Sequence, residues 1–229
     1  MDQISKQLSV VTARVRAAAA GAGRDASDIR LIAVSKTRTA TEIRSLYKAG
    51  VHDFGENYLQ ETAPKLEVLA DLDICWHFIG ALQSNKTRAI ANHFDWVHTV
   101  HRKKIAQRLS DARPTEQAPL NLLIQVNLDA EPQKAGIAPE ALAELLHAVI
   151  PLPRVRWRGL MAIPKPVGPG SDPGKPFGQL RALFDECRSV GGEHWDTLSM
   201  GMSADFEIAI SHGATLVRIG TALFGPRRS

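Results

Sequence analysis

The chain has 229 residues, of which 44% are hydrophobic, 23% charged and 6% aromatic, with two cysteines. That excludes a disordered chain, which is poorer in apolar residues, and a small disulfide scaffold, which is shorter and richer in cysteine; it fits one large domain or two small ones. Lys and Arg number 28 against 24 Asp and Glu, and the net charge of +4 is spread in small clusters at 86–88, 102–104 and 227–228. No basic face interleaved with aromatics is evident, so a nucleic-acid partner is not expected.

Asp2 and Lys6 lead in, and Arg14 and Arg16 break up the first apolar residues, so the N-terminus does not read as a signal peptide. No apolar run approaches the roughly 18–20 residues of a membrane span. A cytoplasmic protein is expected. Ile4, Leu8, Val11 and Val15 fall at helical spacing, which predicts an amphipathic helix over 3–20, ended by Gly21 and Gly23. A repeating rhythm follows. Short apolar strands are predicted at 31–35, 51–54, 76–79, 96–100, 122–127, 156–161, 197–200 and 215–219, with helices between them at 41–49, 56–69, 86–93, 103–111, 139–149, 177–190 and 204–212. Such strands are buried on both faces, and their alternation with helices means a parallel sheet. Eight units predict an α/β fold, a single (β/α)8 TIM barrel over 1–229 with an extra N-terminal helix that caps the barrel or packs on its outside. Such barrels take about 250 residues, which leaves almost nothing for a second domain. One stretch stands out: 164–176 holds Pro164, Pro166, Pro169, Pro173 and Pro176 after the sixth strand. It reads either as a lid or partner loop or as a variable surface loop.

Lys36 closes the first strand, in Ala33-Val34-Ser35-Lys36-Thr37. At the end of a barrel strand it faces the C-terminal mouth, partly desolvated, where a lowered pKa frees the amine to form a Schiff base with an aldehyde. Taken alone, it reads more simply as the start of a solvated loop. The far end of the chain changes that balance. Around strand seven stands Ser199-Met200-Gly201-Met202-Ser203, and after strand eight Arg218-Ile219-Gly220-Thr221. Gly201 lets backbone approach a ligand, and Ser203 is placed to cap the next helix. Loops after strands seven and eight of such barrels commonly bind phosphate, with a helix N-terminus serving the dianion. A lysine on strand one and a phosphate cradle at seven and eight meet at adjacent seams of a closed barrel. The implied ligand carries an aldehyde and a phosphate, and pyridoxal 5′-phosphate is the obvious one.

Other residues carry less. Asn57, after strand two, reads as a cofactor contact or a helix cap, and His77, in strand three, as a pocket residue or a satisfied core histidine. His98 and His101 lack an evident carboxylate or cysteine partner, so no metal is expected. Lys134 reads as a solvated loop lysine, and Cys75 and Cys187 as packed thiols. There is no GxxxxGK loop, GxSxG elbow or HExxH.

Together, the segments 32–36, 54–61, 77–86, 126–137, 159–164, 198–205 and 217–225 resemble the YggS/PROSC family of pyridoxal phosphate homeostasis proteins, over nearly the whole chain and in the right order. The resemblance implies that Lys36 holds the cofactor as a Schiff base. It implies Ser199, Gly201, Gly220 and Thr221 around the phosphate, Arg218 facing the pyridine nitrogen, and Asn57 and His77 lining the pocket. It also implies a protein that carries or buffers pyridoxal phosphate in intracellular vitamin B6 homeostasis, with PLP-dependent apoenzymes as possible acceptors.

The alternative is an amino-acid racemase or related enzyme. Arg218 cannot accept the proton that would make the cofactor ring a strong electron sink, since a guanidinium is already protonated at neutral pH. A racemase also needs a base on each face of its substrate. In racemases with a barrel of this type the second is a tyrosine from a C-terminal β-domain of a partner subunit. The only tyrosines here are Tyr47, inside a predicted helix, and Tyr58, one turn past strand two. A carrier with an open one-domain site, acting as a monomer, is therefore expected.

Overall fold

The computed structural model of the chain describes residues 3–129, 135–165, 170 and 172–226. Eight parallel strands close in sequence order into a barrel. They are β1 Arg30–Val34, β2 Asp53–Glu56, β3 Cys75–Phe78, β4 Trp96–Val100, β5 Leu120–Gln125, β6 Val155–Met161, β7 Thr197–Ser199 and β8 Leu216–Ile219. Helix α1, Gln3–Gly21, precedes the barrel, and α2 Ala40–Lys48, α3 Leu59–Val68, α4 Thr87–His93 and α5 Lys103–Ala112 follow the first four strands. After β5 come a 3-10 turn, Pro139–Ala141, and α6 Leu142–Val149; then α7 Lys175–Glu186 and α8 Arg188–Gly191 follow β6, α9 Phe206–Ser211 follows β7, and α10 Thr221–Phe224 follows β8. The predicted TIM barrel with an N-terminal helix is the fold found.

Alternation along each strand sorts the core into two layers. Outward residues such as Ala33, Phe54, Phe78, Val97, Leu160, Leu198 and Val217 pack against the helices in one continuous apolar cluster. Inward residues Ile32, Trp96, Leu123, Met161 and Leu216 form a separate, smaller cluster inside the barrel. Burying each large side chain contributes roughly 1.5–3 kcal/mol. Helix α1 packs on the outside: it lies against α9, α10 and α2, with Val11, Val15 and Ala19 buried and Arg14 paired to Glu207 at 2.6 Å. Among the described residues, no helix is long and apolar enough to cross a membrane.

Element boundaries differ where chemistry overrides apolarity. Strand β2 runs to Glu56, past the predicted end at 54, because that carboxylate finds buried partners. The helix predicted at 177–190 starts at Lys175, with Pro176 in its first turn, where a missing N–H costs nothing. The stretch 164–176 therefore ends as helix, and its residues 166–169 and 171 lie outside those described, as does Lys134.

Candidate functional site

Lys36 stands two residues past β1, on a tight turn in which the Arg38 N–H donates to the Ser35 carbonyl at 3.0 Å. Thr37 takes a left-handed φ of 63°, which costs a non-glycine residue roughly 1–3 kcal/mol and persists only if its surroundings enforce it. They do. The Thr37 N–H donates to Glu61 at 3.3 Å. The buried Arg38 guanidinium donates to the carbonyls of Phe224, Gly225 and Pro226 at 3.2, 2.7 and 3.1 Å, tying this turn to the end of α10. From α3, the Lys65 ammonium donates to the Ser35 carbonyl at 2.9 Å and to Glu56 at 2.6 Å. The Ser35 hydroxyl donates to the same Glu56 oxygen at 2.7 Å. Burial pushes the Glu56 carboxyl up, and Lys65 and Ser35 pull against it. Lys36 is thus half-buried on a rigid support.

Register brings the other loops to this turn. Val34 pairs with Gly55, which sets Asn57 beside it. Asn57 does not cap a helix: α3 starts at Leu59, with Tyr58 at the capping position. Its buried Oδ1 has no hydrogen-bond partner among the described residues. Gly80 lies directly on Asn57, where a Cβ would stand 1.9 Å from the Asn57 carbonyl oxygen. On the other side, Ile32 pairs with Arg218 and Ala33 with Ile219, so Gly220 and Thr221 abut the lysine turn. Gly201 has a φ of +91°, and a Cβ there would stand 2.6 Å from the Ala209 Cβ. Ser203 does not cap α9, which has no side-chain cap. Its hydroxyl instead accepts from the Ala222 N–H at 3.3 Å, joining the loop after β7 to α10.

Ser199 and Arg218 face the barrel interior. The Arg218 guanidinium, 4% exposed, donates to the Ser199 hydroxyl at 2.7 Å and to the Ala162 carbonyl at 2.9 Å. Burial lowers its pKa to about 10. Behind Ser199 the polar contacts continue. His98 Nδ1 lies 2.9 Å from Ser199 Oγ, and His98 Nε2 lies 3.0 Å from His77 Nδ1. His77 Nε2 lies 2.8 Å from Asp53 Oδ1, which Arg30 holds at 2.6 Å. His77 is fully buried, stacked on Trp96, its ring nitrogens engaged by Asp53 and His98. His101 turns back to the Thr99 carbonyl. Cys75 and Cys187 are both free thiols.

The structure therefore brings together Lys36, Asn57, Gly201, Gly220, Thr221, Ser199 and Arg218 at the C-terminal ends of β1, β2, β7 and β8. It puts His77 deeper, inside the barrel. Sequence reading missed Arg38, Glu56, Lys65 and Asp53, and weighed His98 only as a metal ligand. A signal existed for the histidines, since polar residues at inward positions of two adjacent strands must satisfy each other. Clefts of about 400 Å³ against α1 lie outside the barrel and are lined by none of these residues.

Known proteins share this fold. The pattern of the family described as alanine racemase, N-terminal domain, matches residues 7–228. The chain is 54% identical to the pyridoxal phosphate homeostasis protein of Pseudomonas aeruginosa, over 99% of this chain and 97% of that one. It is 47% identical to the protein of the same name from Escherichia coli K12, over 99% and 98%. Among solved structures, PipY of Synechococcus elongatus with PLP bound superposes with a TM-score of 0.85 at 36% identity, covering 97% of this chain and all of PipY.

Proposed function

The chain belongs to the pyridoxal phosphate homeostasis proteins and carries the alanine racemase N-terminal domain, and from that premise we propose that it binds pyridoxal 5′-phosphate, holds it on Lys36 and carries or buffers it for other proteins. The observation that supports this most is the convergence of one lysine turn with two glycine loops across the β1–β8 seam. Bound there, pyridoxal phosphate supplies an aldehyde, a phosphate dianion and a pyridine nitrogen. Lys36 takes the aldehyde as a Schiff base, with loss of water. Gly201, Gly220 and Thr221 surround the phosphate, with Ser199 beside them at the end of β7, its hydroxyl turned to His98 and Arg218. Arg218 faces the ring nitrogen, and a guanidinium there cannot hand that nitrogen a proton and keep a negative partner beside it. The buried Asn57 Oδ1 is unmatched among the described residues, and the amide turned over presents its N–H2 to the acceptor groups of the cofactor instead.

A carrier suits these residues better than a racemase. A base opposite Lys36 is needed for racemisation. Tyr47 belongs to α2 and packs on His52, while Tyr58 is 56% exposed at the start of α3. The test is to load the protein with pyridoxal phosphate and mix it with a PLP-dependent apoenzyme. The carrier reading predicts one cofactor delivered per chain and no turnover across a panel of amino acids. Catalytic racemisation by the loaded protein would transfer the reading to an enzyme.

A further inference from the structure

The barrel interior holds a string of polar side chains where apolar packing would suffice. It starts at Asp53, the first residue of β2, and crosses through His77 on β3 and His98 on β4 to Ser199 on β7 and Arg218 on β8. The four links measure 2.8, 3.0, 2.9 and 2.7 Å. The two ends fix the sense of every hydrogen bond between them. Arg218 can only donate. Asp53, despite its burial, is held below the usual carboxylate range by His77 and Arg30, so it is ionised and can only accept.

Both histidines are fully buried, and burial favours the neutral ring in each. A neutral His77 must then give its Nε2–H to Asp53, which makes its Nδ1 an acceptor. That acceptor requires a proton on His98 Nε2. His98 Nδ1 must in turn accept the Ser199 hydroxyl proton. A Ser199 lone pair is thereby left aimed at Arg218. One tautomer of each ring satisfies all four links, and the opposite sense leaves an imidazole lone pair against the Asp53 carboxylate.

We infer that Asp53, His77 and His98 are positioning residues for Arg218: the chain of donors locks the Ser199 hydroxyl, and the hydroxyl presents the guanidinium at the mouth in a single orientation. Any effect on the cofactor rests on the reading of Arg218 given above, whereas the orientation of the guanidinium does not. The far end of the string lies at the opposite mouth of the barrel from Lys36, so a substitution at Asp53 acts on Arg218 at a distance.

The test uses the full chain labelled with 15N at histidine and arginine. In the cofactor-free protein, His77 and His98 are expected as Nε2–H tautomers, and Arg218 as a slowly rotating guanidinium. His98→Phe and Asp53→Leu should each release that rotation, while Asp53→Asn, whose amide oxygen still accepts from His77, should preserve it. With pyridoxal phosphate bound, His98→Phe and Asp53→Leu should shift its absorption spectrum alike and speed its release roughly threefold or more, with no further loss when combined. Nδ1–H tautomers in the wild type overturn the inference, as does unchanged guanidinium rotation in the folded variants. Failure of the wild type to bind pyridoxal phosphate counts against the proposed function instead, because the rotation and tautomer signals are read without cofactor.

Discussion

Asn57 and Gly201 show how single residues serve the mouth in different ways. Asn57 offers the mouth a side-chain amide whose oxygen the described residues leave unmatched and whose N–H2 can donate to the cofactor, so Asn57→Leu should leave folding intact and weaken pyridoxal phosphate binding by about threefold to tenfold, the worth of one hydrogen bond. Equilibrium titration followed by absorbance reads this directly. Gly201 serves through backbone: its φ of +91° and the 2.6 Å approach a Cβ would make to Ala209 forbid a side chain. Gly201→Ala should cost roughly 1–3 kcal/mol in urea unfolding. The buried histidines add a pH dependence. Burial lowers the pKa of both, so below about pH 6.5 the unfolded chain takes up protons that the folded one refuses. The stability they contribute is present above that value and is lost as pH falls. The His77→Phe, His98→Phe double variant should show a flatter fall in unfolding free energy between about pH 7 and pH 5. An unchanged slope would assign the acid sensitivity to other groups.

At the scale of elements, α3 matters most to the site, because Lys65 reaches from it to strap both the lysine turn and Glu56. The pair is deeply buried, with side-chain exposures of 10% and 0%. Lys65→Met would strand the Glu56 carboxylate, and about 3–5 kcal/mol of stability should go with it. Adding Glu56→Gln should restore much of that loss, which thermal or urea unfolding of the two variants measures. The strands and most helices were legible in the sequence because burial on both faces and 3.6-residue periodicity are local signals. β4 matches its expected bounds at Trp96–Val100, and α1 ends where Gly21 and Gly23 predict. Helix α10 was not legible: four residues carry no period. The lysine turn and the glycine loops were legible because each follows its strand immediately. Lys65, Arg38 and the chain from Asp53 to Ser199 were not, because their partners lie 9 to 187 residues away and meet only when the barrel closes.

For the whole molecule, closure of the barrel is what makes a site. It sets β1 beside β8 and so joins residues from the two ends of the chain across one seam. Every residue of the proposed site comes from one chain, so the reading needs no second copy. Light scattering should give a mass near 25.0 kDa, and a stable mass of twice that would contradict a monomer. The central claim is the covalent hold of the cofactor on Lys36. It is tested by borohydride reduction of the protein loaded with pyridoxal phosphate, followed by mass mapping of its peptides. The predicted result is a pyridoxyl phosphate adduct on the peptide bearing Lys36, absent from Lys36→Ala. An adduct of equal yield on another lysine, kept in Lys36→Ala, would contradict the account.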